Sequence, residues 1–508
     1  MKRSEPIAAR GSQLRPLKTY LITALKAPIA AAVLGLGAMQ AQADTLWEIY
    51  LQALDNDQQL AADRAAYEAG LEAKNLGRSA LLPQINATAE ASKYRIDSSS
   101  VGLSFDSTTN QLLDTETSGD RDFDRRVYGA RLDQAIFDLP AWFGYKQGIK
   151  ASEQATAEFS ANQQEMMLRV ATAYFDVLRA HDVLEAALAE EEALAKQLEQ
   201  TQQRFEVGLT AITDVYDSQA AYDSAVARRL TAQDNLLSNF DALSVLTGTH
   251  HNSVAPLEES FAVAPPEPAE RAAWVDFALA NNFDLKAARL AAEAARFSAR
   301  AAASEHLPTL TGSLSYQKVE DDGDSNSTTT FPALGESLES SIPIDDTNET
   351  RLAAINFSMP IYTGGRLSAS RREARNLAFQ TEDLRNLAER DTIQNTRTLH
   401  RAVVTDVSRV RAREQAVISA KSALDATRAG YEVGTRNIVD VLLAQRTLFQ
   451  NQTDYANALY DYILNTLSLK RVAGLLAPDD LQQLETKLNP VQPVTRVAEA
   501  GVTPSPGK

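Results

Sequence analysis

The sequence predicts a mainly α protein with membrane β, a tandem-duplicated unit giving four β-strands and long coiled-coil-like helices per chain. Three observations predict it. A set of landmarks recurs at an offset of 225 to 226 residues, long stretches carry neither Gly nor Pro, and short segments between them alternate apolar with polar residues. A fixed internal period marks a repeat architecture. Gly and Pro interrupt helices, so their absence over tens of residues points to rods.

The first 43 residues read as a signal peptide. Lys2, Arg3, Arg10, Arg15, Lys18 and Lys26 precede an apolar stretch from Ala27 to Met39, and Ala41-Gln42-Ala43 gives a small-x-small cleavage pattern before Asp44. That apolar core is too short for a bilayer of about 30 Å. Removing residues 1–43 takes away six basic residues and one acidic one, so the net charge moves from -17 to -22. No later apolar run is long enough for a transmembrane helix.

Two structural repeats follow, residues 44–255 and 269–488, joined by a Pro-rich linker over 256–268. Phe205-Glu206-Val207-Gly208 with Ile212, Asp214 and Gln219 returns as Tyr431-Glu432-Val433-Gly434 with Ile438, Asp440 and Gln445. Leu82-Pro83 returns as Leu307-Pro308, and Ile136-Phe137 as Ile361-Tyr362. Each repeat opens with a shorter helix, toward Leu82 or Leu307, and continues into two strands, 84–97 and 125–137 or 309–319 and 350–362. The strands rest on period-two alternation: Tyr128, Ala130, Leu132 and Ile136 against Arg131 and Asp133, and Leu310, Leu314 and Tyr316 against Thr311, Ser313 and Ser315. The polar segments 97–124 and 320–348 read as long loops, and Tyr94, Tyr128 and Tyr316 as an aromatic belt. Helical hairpins over 141–247 and 366–473 complete each repeat. They are rich in Ala, Leu, Glu, Gln and Arg with apolar residues spaced at three and four. Sixty helical residues rise about 90 Å, the length of a bundle rod and not of a globular core. Each shorter helix is expected to stack end to end on the second arm of its hairpin. The tail 489–508, rich in Pro, Val, Thr and Gly, is expected to be disordered.

Composition narrows the function classes. A chain of 508 residues without cysteine has no disulfides, thiolate metal sites, cysteine nucleophile or lipid-bearing cysteine. Its acidity disfavours nucleic acid, which is bound by surplus Lys and Arg. No P-loop, dinucleotide fingerprint or nucleophile elbow occurs, so no enzyme, cofactor or resident metal is expected. The pair His250-His251 lacks a third ligand and reads as a solvated turn. Glu190-Glu191-Glu192 and the cluster Arg371, Arg372 and Arg375 read as solvated helix faces. Four strands cannot close a membrane barrel, which starts at about eight. An open edge in lipid is unsatisfied, so two or more chains must combine.

The twin motifs Arg204-Phe205-Glu206-Val207-Gly208-Leu209 through Asp214-Val215 and Gly430-Tyr431-Glu432-Val433-Gly434-Thr435-Arg436 through Asp440-Val441-Leu442, on a duplicated plan spanning about Asp44 to Leu484, resemble the TolC family of outer-membrane channels. The likeness is to the unlipidated type. It implies a homotrimer, with a twelve-stranded barrel in outer-membrane lipid and a twelve-helix periplasmic tunnel. Such a trimer is an exit duct for efflux or type I secretion, reached by a periplasmic adaptor and an inner-membrane efflux pump or ABC exporter. By position, Arg436 is expected to bond Thr213 and Asp214 of another protomer, and Tyr431 to bond Asp214 of its own. Asp440 is expected to form a ring of carboxylates at the narrowest point, with Leu443 where the resemblance implies a second aspartate. The hairpin tips Val207, Gly208, Leu209, Val433, Gly434 and Thr435 are expected to meet the adaptor.

The residues alone also allow a second reading, a secreted structural coiled coil that spans the envelope without a channel. Lipid-facing alternation with an aromatic belt favours the duct, whereas an unbroken heptad would favour the tether.

Overall fold

The structure is a computed structural model and describes residues 43–106, 110–258 and 261–496. The segment read as a signal peptide lies outside the described residues except for Ala43, which is buried.

The first repeat comprises α1 (Leu46–Asn56), α2 (Gln58–Ser79), β1 (Gln84–Asp106), β2 (Gln111–Phe137), α3 (Leu139–Glu206) and α4 (Ile212–Thr247). A short β3 (Ser253–Val254) leads to the second repeat: α5 (Arg271–Asn281), α6 (Phe283–Ser304), β4 (Thr309–Phe331), β5 (Glu336–Ser358), α7 (Arg366–Glu432) and α8 (Ile438–Val472). The chain closes with α9 (Pro478–Glu485) and β6 (Val494–Thr495).

The expected shorter helices are each broken once, at Asp57 and at Asn282, where the backbone turns extended. Both side chains then cap the next helix: Asp57 accepts from the Gln59 amide and Asn282 from the Leu285 amide. The two breaks lie 225 residues apart, so the repeat duplicated its joint. Asp and Asn favour such caps because their short oxygens satisfy free first-turn amides.

The helices pack in the order α2, α3, α6, α7 near the strands, and α3 and α8 join the two hairpins farther along. The stacking of short on long helices is visible at both joints. Thr249 Oγ1 donates to Gln52 Oε1 at 2.9 Å, and Asn282 Nδ2 donates to the Val472 carbonyl at 2.9 Å. At the second joint Gly474 has φ +70°, and a Cβ there would lie 2.3 Å from the Asn281 carbonyl oxygen.

The main core gathers where α1, α3, α8, α9 and the linker meet. Tyr174, Phe175, Leu178, Leu46, Ile49 and Ile463 are buried there. Tyr174 donates to the Ala255 carbonyl at 2.6 Å, and Tyr462 donates to that of Ala264 at 2.8 Å, so the Pro-rich linker lies along the helices. The tail differs from its expected disorder. Within 489–496, Val494 pairs with Val254, and Arg496 bonds Asp241 at 2.8 Å; residues 497–508 lie outside the described residues. Val494 is an apolar side chain with a place in the core, and composition averaged over the tail hides it.

The sheet is antiparallel in the order β1-β2-β4-β5. Its strands are longer than expected. Most of the segments read as loops, 97–124 and 320–348, belong to strands of 23 to 27 residues; β4 and β5 are joined by a short turn ending at Gly335, and Asn110, at φ 55°, immediately precedes β2. In the other direction β5 ends at Ser358, so Ile361 and Tyr362 lie beyond it and are exposed. A strand of 23 residues rises about 75 Å, more than a bilayer requires. The polar extensions are held by cross-strand pairs that composition does not reveal: Arg125 with Asp321 at 2.7 Å, Arg95 with Asp122 at 2.8 Å, and Thr117 with Thr329 at 3.2 Å. Opposed polar pairs of this kind each add a few tenths of a kcal/mol.

Candidate functional site

Two surfaces stand out: the sheet face near the helices and the two hairpin tips. Register decides the first. Ile85 faces Leu132, Leu132 faces Leu314, and Leu314 faces Ala353, while Ala130 faces Tyr316. Directly opposed residues share a face, so Ile85, Leu132, Leu314, Ile355 and Phe357 form one apolar face with Tyr128 and Tyr316 beside them. Asn86, Thr88, Arg131, Asp133, Ser313 and Ser315 fall on the other. Ile85 and Ile355 are each more than 70% exposed in the single chain, an apolar surface suited to lipid. Tyr94 departs from the expected belt. Its parity places it on the polar face, stacked on Phe123 at 5.3 Å under the Arg125 guanidinium.

At the tips, Gly208 (φ +76°) and Gly434 (φ +78°) take the left-handed conformation that ends a helix without a Cβ penalty. Carbonyls at the helix end are then satisfied by the Leu209 amide on Arg204 at 2.8 Å and the Thr435 amide on Gly430 at 2.9 Å. Val207, Leu209 and Val433 remain exposed. Ile438 is buried with Val441 and Leu448 between α7 and α8.

The polar tip residues divide. Arg436 lies 3.8 Å from Asp440, which also closes a capping box with Asn437. Thr213 and Leu443 are exposed. The intra-chain bond expected between Tyr431 and Asp214 is absent. Asp214 accepts from Thr210 Oγ1, and the Tyr431 hydroxyl has no hydrogen-bond partner among the described residues. Tyr431 instead seats the Arg204 guanidinium 4.8 Å above its ring, so a cation-π contact joins the tip of α3 to that of α7. The motif contained both residues; their contact depends on which tips lie side by side, which spacing along the chain does not encode.

Sequence reasoning also misread two polar groups. His251 is buried, with Nδ1 2.8 Å from Asp44 and Nε2 2.7 Å from Thr247 Oγ1. Glu190 is buried and held by Arg228 through two contacts, whereas Glu192 is the exposed side chain that was expected. Among the described residues, His181, Asp182 and Glu185 bring three ligand atoms within 4.8 Å, but Asp182 already accepts from Tyr460 at 2.8 Å. Burial, reinforced by the nearby Asp182 charge, raises the Tyr460 phenol well above its ordinary range. Burial likewise raises Asp176, offset in part by Arg179.

Rods crowned by a sheet with one apolar face, and glycine-turned tips at the far end, define a subunit of an outer-membrane channel. The comparisons agree. The family described as Outer membrane efflux protein matches residues 49–249 and 274–475, one block per repeat. Over 460 residues the chain is 36% identical to Outer membrane protein TolC of Vibrio cholerae serotype O1, covering 90% of this chain and 97% of that one. It is 35% identical to Outer membrane protein TolC of Escherichia coli, covering 88% and 86%, and 29% identical to the alkaline protease secretion protein AprF of Pseudomonas aeruginosa, covering 92% and 91%. In fold it is similar to the Campylobacter jejuni CmeC outer membrane channel, with a TM-score of 0.66 at 14% identity, covering 92% and 98%. The outer membrane protein VceC of Vibrio cholerae gives 0.65 at 19%, covering 84% and 96%. The chain belongs to the TolC family of outer-membrane efflux proteins. It is an outer-membrane exit duct whose helices lie in the periplasm.

Proposed function

We propose that three copies of this chain close their sheets into one twelve-stranded barrel, continuous with a twelve-helix periplasmic tunnel. The carrying observation is the sheet order, which leaves β1 and β5 as open edges flanking an apolar face. Lipid cannot satisfy such an edge, and four strands are too few to close. A soluble tether has no use for that face.

The remaining roles follow from position. Residues 1–43 direct export and are removed. The exposed Val207, Leu209 and Val433 at the tips, with Gly208, Gly434 and Thr435, offer the apolar contact for a periplasmic adaptor. The adaptor brings an inner-membrane efflux pump or ABC exporter, which supplies the energy. Arg436 reaches Thr213 and Asp214 of the neighbouring copy and holds the tunnel closed. Asp440 from each copy lines the narrowest point, where a carboxylate ring attracts cations, and the Leu443 ring adds a dewetting barrier. The wall moves cargo by providing a path, with no catalytic step assigned to any residue. Outer-membrane fractions run on denaturing gels with and without heating test the assembly. A trimer band that collapses to monomer on boiling is expected; a protein found only in the soluble periplasmic fraction would reject the duct.

A further inference from the structure

The apolar face of the sheet ends in a regular way. Followed away from the helices, it reads Ile85, Ala87, Ala89, Ala91 and then Lys93 on β1, and Leu132, Ala130, Tyr128 and then Arg126 on β2. On β4 it reads Leu314, Tyr316 and then Lys318, and on β5 Ile355, Ala353 and then Arg351. The first charged side chain past the apolar stretch is therefore basic on all four strands. Composition does not produce this pattern, because acidic residues outnumber basic ones 67 to 50 in the chain.

The four cations share one depth. Lys318 follows Lys93 by 225 residues and Arg351 follows Arg126 by 225, the offset of the repeat, so both halves take the same basic step at the same height. Their neighbours differ between halves: Ala91 stands where the second half has Tyr316, and Tyr128 where it has Ala353. Register orders them as a staircase. Arg351 lies opposite Tyr316, Lys318 opposite Tyr128 and Arg126 opposite Ala91, and the tilt of barrel strands brings such a staircase level.

The side chains are open on the side of the apolar face. Lys93 pairs with Asp122 at 3.3 Å, Arg351 with Glu349 at 3.3 Å, and Lys318 with Glu320. All three acids lie farther from the helices than their partners, and exposed pairs of this kind are weak enough to yield to a second anion. Arg126 is exposed and forms no ion pair among the described residues. The Arg351 guanidinium also lies 5.8 Å from the centre of the Tyr316 ring. Directly below it the face opens a shallow apolar cavity of about 570 Å³, walled by Ile85, Leu132, Leu314, Tyr316 and Ala353.

We propose that Lys93, Arg126, Lys318 and Arg351 form a basic girdle that binds the phosphate groups of lipid in the leaflet farther from the helices, with an acyl chain of that lipid seated below Arg351. The helices lie in the periplasm, so this is the outer leaflet. Long basic side chains at the end of an apolar stretch reach naturally to anionic headgroups, and guanidinium matches phosphate in shape as well as charge. The proposal rests on the reading that the sheet enters an outer-membrane barrel, and it adds the chemistry of the lipid.

Lipid A and lipid A stripped of its phosphates are the probes, added to the detergent-purified protein and counted by native mass spectrometry. The unaltered protein should retain lipid A and hold the stripped form roughly tenfold less. Arg126→Gln should weaken retention of lipid A about fivefold, and neutralising all four cations to Gln about a hundredfold. Arg121→Gln, on the other face of β2, should change nothing. Millimolar inorganic phosphate should leave the lipid bound; displacement would make the girdle a site for free phosphate and overturn the lipid assignment. Equal retention of the two lipids by the unaltered protein overturns the girdle without any variant having to fold. Sedimentation separates the causes: a trimer with that result sinks the girdle alone, whereas a monomer that retains neither lipid sinks the barrel reading as well.

Discussion

Arg228→Ala tests the rigidity of the first hairpin. Glu190 on α3 receives Arg228 Nε at 3.0 Å and Nη2 at 2.7 Å, about 25 Å along the helix from the tip. The Glu190 side chain is 7% exposed and that of Arg228 45% exposed. Removing the partner of a fully buried charge costs about 3–5 kcal/mol, whereas an exposed pair is worth about 0–1 kcal/mol. A buried carboxylate with a half-exposed guanidinium falls between, at about 2 kcal/mol. At 1.4 kcal/mol per factor of ten, local opening becomes roughly thirtyfold more frequent. Amide hydrogen exchange over 186–194 and 224–232 reads this directly, since local opening governs exchange there. Adding Glu190→Gln should recover most of the protection, because a neutral amide tolerates burial better than an unpaired carboxylate. Acceleration below threefold in Arg228→Ala would refute the argument that this pair clips the two arms together.

Other consequences are equally direct. Asp176→Asn should raise the melting temperature at neutral pH: its folded carboxyl is raised by burial, so ionisation opposes folding above that raised value, and the gain should fade as pH falls toward the ordinary carboxylate range. Gly474→Ala should cost about 3 kcal/mol, from the left-handed backbone and the clash with the Asn281 carbonyl, and should show as a lower melting temperature. Arg436→Ala should raise single-channel conductance, and Tyr431→Leu should raise it further by unseating Arg204, whereas Tyr431→Phe keeps the ring and should change little. Asp440→Ala should abolish block by multivalent cations; persistent block would move the constriction elsewhere.

Much of the architecture is legible because it is periodic. Helices without Gly or Pro, strands with period two and a duplication at constant offset are one-dimensional signals, and they give the order of elements and the glycines that turn the tips. What the sequence conceals is set by partners far along the chain. The polar strand extensions look like loops because Ser, Asp, Asn and Gly, which are not strand formers, are frequent in them. Pairs such as Arg125 with Asp321, 196 residues apart, hold them extended. His251 looks solvated until Asp44 and Thr247 close over it, and Tyr431 reads as a partner of Asp214 until α3 brings Arg204 to its ring. At Asp57 and Asn282 a signal was present, an Asx cap inside each helical stretch at the repeat offset, and helical periodicity masked it.

The account stands most directly on ion flow through the purified protein in a planar lipid bilayer. It predicts discrete, uniform conductance steps that Arg436→Ala enlarges. A membrane-inserted trimer that passes no current, with or without that substitution, would contradict it.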